Sequence, residues 1–182
     1  MSVSADTVMM PAMTVILRLI DICLFRAGPE DLPARSGLLQ TTLLAYLMVG
    51  IAINLLDTSW AMSLTVSVAD LIILLAFIWL LLRGYQHLPR LDQTLTALAG
   101  CSVLLGILVM PVLAVFYQYD ETQPMANWLL LILMAIMLWS LMVTAHIIRR
   151  ALECSAPAAV GWTVFYVILS IIGSGLVMSG VA

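Results

Sequence analysis

Ala61–Gly84, AMSLTVSVADLIILLAFIWLLLRG, decides the fold. A run of about 20 apolar residues at 1.5 Å rise crosses the hydrocarbon core of a bilayer, and this stretch is long enough to do so. It holds one acid, Asp70, and ends on Arg83 before a loop that carries Arg90. The rest of the chain can be placed against it.

The whole chain has the same character. Over 182 residues, 64% are hydrophobic and 9% charged, and the mean hydropathy is +1.15. That leaves too little polar surface to wrap a water-soluble core, so the bilayer is the solvent. A formal net charge of -3, spread without acidic or basic tails, speaks against nucleic acid as a partner. Cys23, Cys101 and Cys154 lie far apart, with no CxxC and no histidine at ligand spacing, and read as free thiols.

Residues 1 to 10 lack a positive n-region and do not read as a cleavable signal. From Pro11 to Arg26, Thr14, Arg18 and Asp21 share a stripe amid methionine, leucine, isoleucine and phenylalanine. Pro11 suits a first turn, and Gly28-Pro29 predicts the stop. Crossing the membrane would bury Arg18 and Asp21 at about 2.5 to 3.5 kcal/mol each. An amphipathic helix lying in the interface is the expected form.

Five apolar segments follow, at 38–56, 61–82, 95–117, 127–148 and 158–180. The expected fold is an all-α membrane bundle of five spans preceded by the interfacial helix, with 1–36 as the N-terminal segment and 37–182 as the transmembrane domain. The short join Asp57–Trp60 predicts antiparallel neighbours. The arginines fall at 18, 26 and 35, at 83 and 90, and at 149 and 150, all at one side of such a bundle. Asp57, Asp120 and Glu121 take the other side. Retention of basic loops in the cytoplasm then predicts the N-terminus inside and the C-terminus outside. Trp60, Tyr117, Tyr119 and Trp128 would mark the outer headgroup level and Tyr85 the inner one, whereas Trp79, Trp139 and Trp162 carry less information. All seven basic residues being arginine fits a GC-rich bacterial genome, hence a bacterial inner membrane.

Asp70 is the one acid within a span, about 13 Å below the outer end. Tyr46 and Ser170 reach a similar depth, about 15 Å, and either hydroxyl could donate to the carboxyl. One reading is a proton or cation site. The other, which the single intramembrane acid favours, is a hydrogen-bonded acid that locks helices together. His146, in AHIIRR, reads as an interface residue beside Arg149 and Arg150, at a different depth from Asp70. Arg83, Arg90, His146, Arg149 and Arg150 are the candidate cytoplasmic contacts. Pro111 should kink the third span. Ser102 and Gly106, with Ser170, Gly173, Ser174, Gly175 and Ser179, allow close helix approach inside the bundle, or a homo-oligomer seam on the last span.

The twelve methionines are filler rather than metal ligands, with Met9, Met10 and Met13 the only copper-like cluster. No Ser/His/Asp set, paired carboxylates at a cleft, glycine-rich phosphate loop or HExxH motif occurs. The pattern calls for no enzyme activity, cofactor or metal.

A cytosolic segment followed by five closely joined spans resembles the Yip1-like membrane proteins from about Leu38 to the end. Gly84, Tyr85 and Pro89 echo that family's Gly-Tyr-x-x-x-Pro element, here followed by Arg90 and Asp92 in a loop where the family places the element at the start of a span. Asp31-Leu32-Pro33 partly echoes its Asp-Leu-Tyr-Gly-Pro motif. No functional residue carries over. The resemblance implies a non-enzymatic organiser that binds a membrane or cytosolic protein partner; a small ion, proton or solute permease using Asp70 is the alternative. Membrane lipids are partners in both.

Overall fold

The computed structural model describes residues 12–118 and 124–181. Six α-helices are present among them: α1 Ala12–Cys23, α2 Ser36–Asn54, α3 Trp60–Gly84, α4 Leu91–Phe116, α5 Pro124–Leu152 and α6 Ala156–Val181. Short 3-10 turns occupy Pro29–Asp31 and Leu88–Arg90, and no strand occurs in the described residues. Helices α2 to α6 are each long and apolar enough to cross a bilayer, so this is a multi-pass, all-α membrane bundle. Their ends lie within a few residues of the expected bounds, with α5 extended at both ends. Met9, Met10, Pro11, Tyr119, Asp120 and Glu121, which entered the sequence reading, lie outside the described residues.

Three connections meet at one end of the bundle, called here the basic end. Arg90 bonds Glu153 there, Arg150 pairs with Glu30, and the Trp162 indole donates to the Tyr85 hydroxyl at 3.2 Å. The side chain of Gln93 donates to the Leu32 carbonyl at 2.8 Å. Helices α1, α3 and α5 all close at this end around a non-glycine residue with positive φ: Phe25 at 62°, Gln86 at 60° and Glu153 at 52°. In each, the next amide reaches back five residues, as Arg26 to Asp21 at 2.8 Å, His87 to Leu82 at 2.8 Å and Cys154 to Arg149 at 3.3 Å. This satisfies carbonyls the last helical turn would leave open. Helix α1 therefore stops at Cys23, earlier than Gly28-Pro29 suggests, because the Phe25 turn ends it.

Helix α1 does not lie free on the membrane surface. Val15, Leu19, Ile22 and Cys23 form a buried face; Leu19 packs over Gly100 of α4, and the Trp139 indole of α5 donates to the Cys23 carbonyl at 3.0 Å. Met13, Leu17, Ile20 and Leu24 form a second, exposed apolar face. Thr14, Arg18 and Asp21 make the third. A helix with one face on the bundle, one on acyl chains and one polar still suits the interface, now as a docked element.

The closely packed core lies toward the basic end. Ile22, Leu32, Ile78, Leu82, Ile147 and Ile148 are all but inaccessible. In the opposite half, small residues govern the approach of the helices. A Cβ on Gly106 would meet Val49 of α2 at 2.6 Å, and Gly173 of α6 sits against Ile73 of α3. Gly175 meets nothing and Ser179 is exposed, so that part of the α6 stripe faces outward. Pro111 lies inside α4 without ending it.

Candidate functional site

Asp70 of α3 is half-buried and engaged on both carboxyl oxygens. The Tyr46 hydroxyl of α2 donates to Oδ2, and the Ser170 hydroxyl of α6 donates to Oδ1 at 2.5 Å. The acid therefore joins three helices through hydrogen bonds that span 24 and 100 residues of sequence. An isolated acid at this depth would be costly, and two hydroxyl donors offset part of that cost. Tyr166, one turn before Ser170 on α6, is a close neighbour of the Tyr46 hydroxyl. The depth count on the sequence brought Asp70, Tyr46 and Ser170 together, and in the structure both hydroxyls bond the acid.

Next to Asp70 lies a cavity of about 290 Å³ bordered by Tyr46, Asn54, Ser67, Ser102 and Ser174. It runs between α2, α3, α4 and α6 and has room for several waters at about 30 Å³ each. Above it the polar groups continue toward the end opposite the arginines. The Asn54 amide donates to Ser67 Oγ at 3.1 Å, and Thr58 and Ser63 share a hydroxyl bond of 2.8 Å. Ser63, Ser67 and Asp70 lie at spacings of four and three, one face of α3, about 5, 10 and 15 Å along the helix from Trp60. Ser63 and Ser67 are not among the residues singled out from the sequence, although their spacing to Asp70 is visible in it.

On the other side of Asp70, toward the basic end, the contacts are aromatic. Phe77 packs on Tyr166 at 5.3 Å between centroids, on Phe165 at 6.1 Å and on Trp162 at 6.5 Å. Trp162 also meets Tyr85 edge-on at 6.5 Å. Polar groups approach Asp70 from one end of the bundle, and rings fill the space toward the other.

The five candidate contact residues at the basic end divide. Arg90, His146, Arg149 and Arg150 border one open pocket of about 530 Å³ together with Glu30 and Glu153. Arg83 is elsewhere, its guanidinium 5.0 Å over the Trp79 ring. Arg90 binds Glu153 at 2.6 Å and Arg150 binds Glu30 at 3.3 Å. The hydrogen bond from Arg90, and then its charge, hold the Glu153 carboxyl below the usual carboxylate range. His146 Nε2 bonds the Ala27 carbonyl at 2.9 Å, and its ring meets Phe25 edge-on. That arrangement fastens the segment after α1 to α5, and His146 stands apart from Asp70.

Cys23, Cys101 and Cys154 are free thiols, the first two buried. Among the described residues no group of three or more His, Cys, Asp or Glu side chains could hold a metal ion. Comparison with protein-family models, curated proteins and solved structures finds no match for this chain.

Proposed function

We propose that this protein is a small non-enzymatic membrane protein that takes up a proton or a monovalent cation at Asp70 from the end of the bundle opposite the arginines, as part of carrying that ion or a solute coupled to it. The observation that carries this reading is the cavity beside Asp70, where polar side chains from four helices stand among Val49, Ile53, Val66 and Val103. A carboxyl group serving only as a lock between helices needs its two hydroxyl donors and no such space. Asp70 supplies an acid, Tyr46 and Ser170 set its orientation, and Ser67, Ser102 and Ser174 offer neutral oxygens of the kind a partly dehydrated monovalent cation accepts. In this reading the arginine-bearing connections face the cytoplasm of a bacterial inner membrane, and the cavity opens outward.

A partner-binding scaffold of the Yip1-like layout is the second reading, and the arginine-lined pocket is what favours it. The two separate in one experiment. Wild type and Asp70→Asn are reconstituted in vesicles, and proton and sodium flux are followed with internal dyes. The proposal expects ion-dependent flux in wild type and its loss in a variant that keeps its yield and its monodisperse profile. Absence of flux in wild type, with proteins co-purifying equally with both forms, would favour the scaffold.

A further inference from the structure

A second site follows from the pocket at the basic end, independent of Asp70. Three guanidinium groups and two carboxyl groups line it. Arg90 and Arg150 are each held by a carboxyl, through Glu153 and Glu30. Arg149 is exposed and has no carboxylate partner among the described residues. The walls come from separate parts of the chain: Glu30 in the turn after α1, Arg90 in the turn before α4, Arg149 and Arg150 in the last turn of α5, and Glu153 at its close. At about 530 Å³ it falls within the range of small-molecule sites. The carbonyl end of α5 disfavours an anion there, so any anion must be held by the guanidinium groups.

The geometry points to a site for a phosphate-bearing anion, bound by Arg149 and Arg150 with Arg90 at its edge. Guanidinium groups match phosphate oxygens in paired hydrogen bonds that an ammonium cannot make. Arg149 has donors to give. Glu153 is 62% exposed and Glu30 44% exposed on their side chains, so either can turn to solvent when a phosphate takes its place. The pocket lies where spanning helices end, at the depth of lipid headgroups. With the orientation proposed above, the pocket faces the cytoplasmic leaflet, where anionic lipids are concentrated, which makes a phospholipid headgroup the favoured source and a soluble phosphate the other source of the same chemistry.

The test uses full-length protein in a nonionic detergent. Phosphatidylglycerol, phosphatidylcholine and inorganic phosphate are titrated separately while thermal unfolding and retained lipid, by native mass spectrometry, are followed. Phosphatidylglycerol should stabilise saturably and be retained, and phosphatidylcholine should not. Arg149→Gln should weaken the effect about fivefold, the usual contribution of one arginine at an anionic surface. Glu153→Gln should strengthen it, because a competing carboxylate is gone; a pocket that is only an ion-pair network would lose stability and gain no affinity. Arg83→Gln, outside the pocket, should match wild type. Saturable stabilisation by inorganic phosphate without lipid selectivity would identify the soluble source. If neither probe stabilises, or if Glu153→Gln and Arg149→Gln both respond as wild type, the proposal fails. Should Arg149→Gln not fold, Glu153→Gln alone decides by the sign of its change.

Discussion

Ser170 of α6 and Asp70 of α3 are joined by a hydroxyl hydrogen bond of 2.5 Å, and Tyr46 of α2 occupies the other oxygen of the same carboxyl group. The two hydroxyls are thus coupled through one acid. Ser170→Ala and Tyr46→Phe should each lower stability by about 1 kcal/mol, the net worth of one such bond. The double variant should depart from the sum, because the remaining donor can recentre on a carboxyl that has lost its other partner. A thermal or denaturant double-mutant cycle measures this, and strict additivity would show that the two hydroxyls act separately.

The approach of α2 to α4 depends on the missing side chain at position 106. Gly106→Leu must push Val49 away, since even a Cβ there comes within 2.6 Å. A loss of about 1–3 kcal/mol is expected from overpacking. Gly175→Leu, where nothing lies within 4 Å, should be neutral by the same melting assay.

Gln86 is exposed and holds a left-handed backbone at φ 60°. A left-handed conformation costs a non-glycine residue about 1–2 kcal/mol, part of which glycine gives back as lost entropy. Gln86→Gly should raise the melting temperature slightly. A fall would mean that the Gln86 side chain makes a stabilising contact of its own.

The Arg90–Glu153 pair gives a pH dependence of known sign. The folded pKa of Glu153 lies below its unfolded one, so the pair's contribution is complete above the ordinary carboxylate value of about 4.3 and is lost as pH falls through the lower, folded value. Both side chains are well exposed, so salt should weaken the effect. Comparing wild type with Glu153→Gln, the difference in melting temperature should be constant from pH 7 to about pH 5 and shrink below that.

The orientation can be read from one thiol. Cys154 lies in the turn beside Glu153 and is partly accessible, whereas Cys23 and Cys101 are buried. In intact cells a membrane-impermeant maleimide should leave Cys154 unlabelled, and should label it once the cytoplasmic side is opened. Labelling in intact cells would invert the proposed topology.

The five spans were legible because mean hydropathy and length act over whole segments, and packing does not have to be known. The meeting of Asp70 with Tyr46 and Ser170 was legible for a related reason: antiparallel helices of fixed rise put residues at equal depth, and few polar groups share that depth. The docking of α1 was not. Its buried face, Val15, Leu19 and Ile22, is no more apolar in sequence than the exposed face of Met13, Leu17 and Ile20. What distinguishes them is Gly100 and Trp139, far along the chain. The pairing of Arg83 with Trp79, one turn earlier in its own helix, is a spacing the sequence carries; the gathering of the other arginines is not, since the walls of their pocket come from three separate connections. The cavity beside Asp70 is a property of the space between four helices, and no single segment encodes it.

The spanning helices differ in length: α2 has 19 residues and α5 has 29. At 1.5 Å per residue these are about 28 and 43 Å, against a hydrocarbon thickness of about 30 Å. Helix α2 just matches the membrane standing upright, while α5 must tilt or carry its Arg149–Arg150 end past the acyl chains. A thicker bilayer would therefore strain α2 first and draw Asn54, at its tip, into hydrocarbon. Membrane thickness thus acts directly on one wall of the cavity beside Asp70.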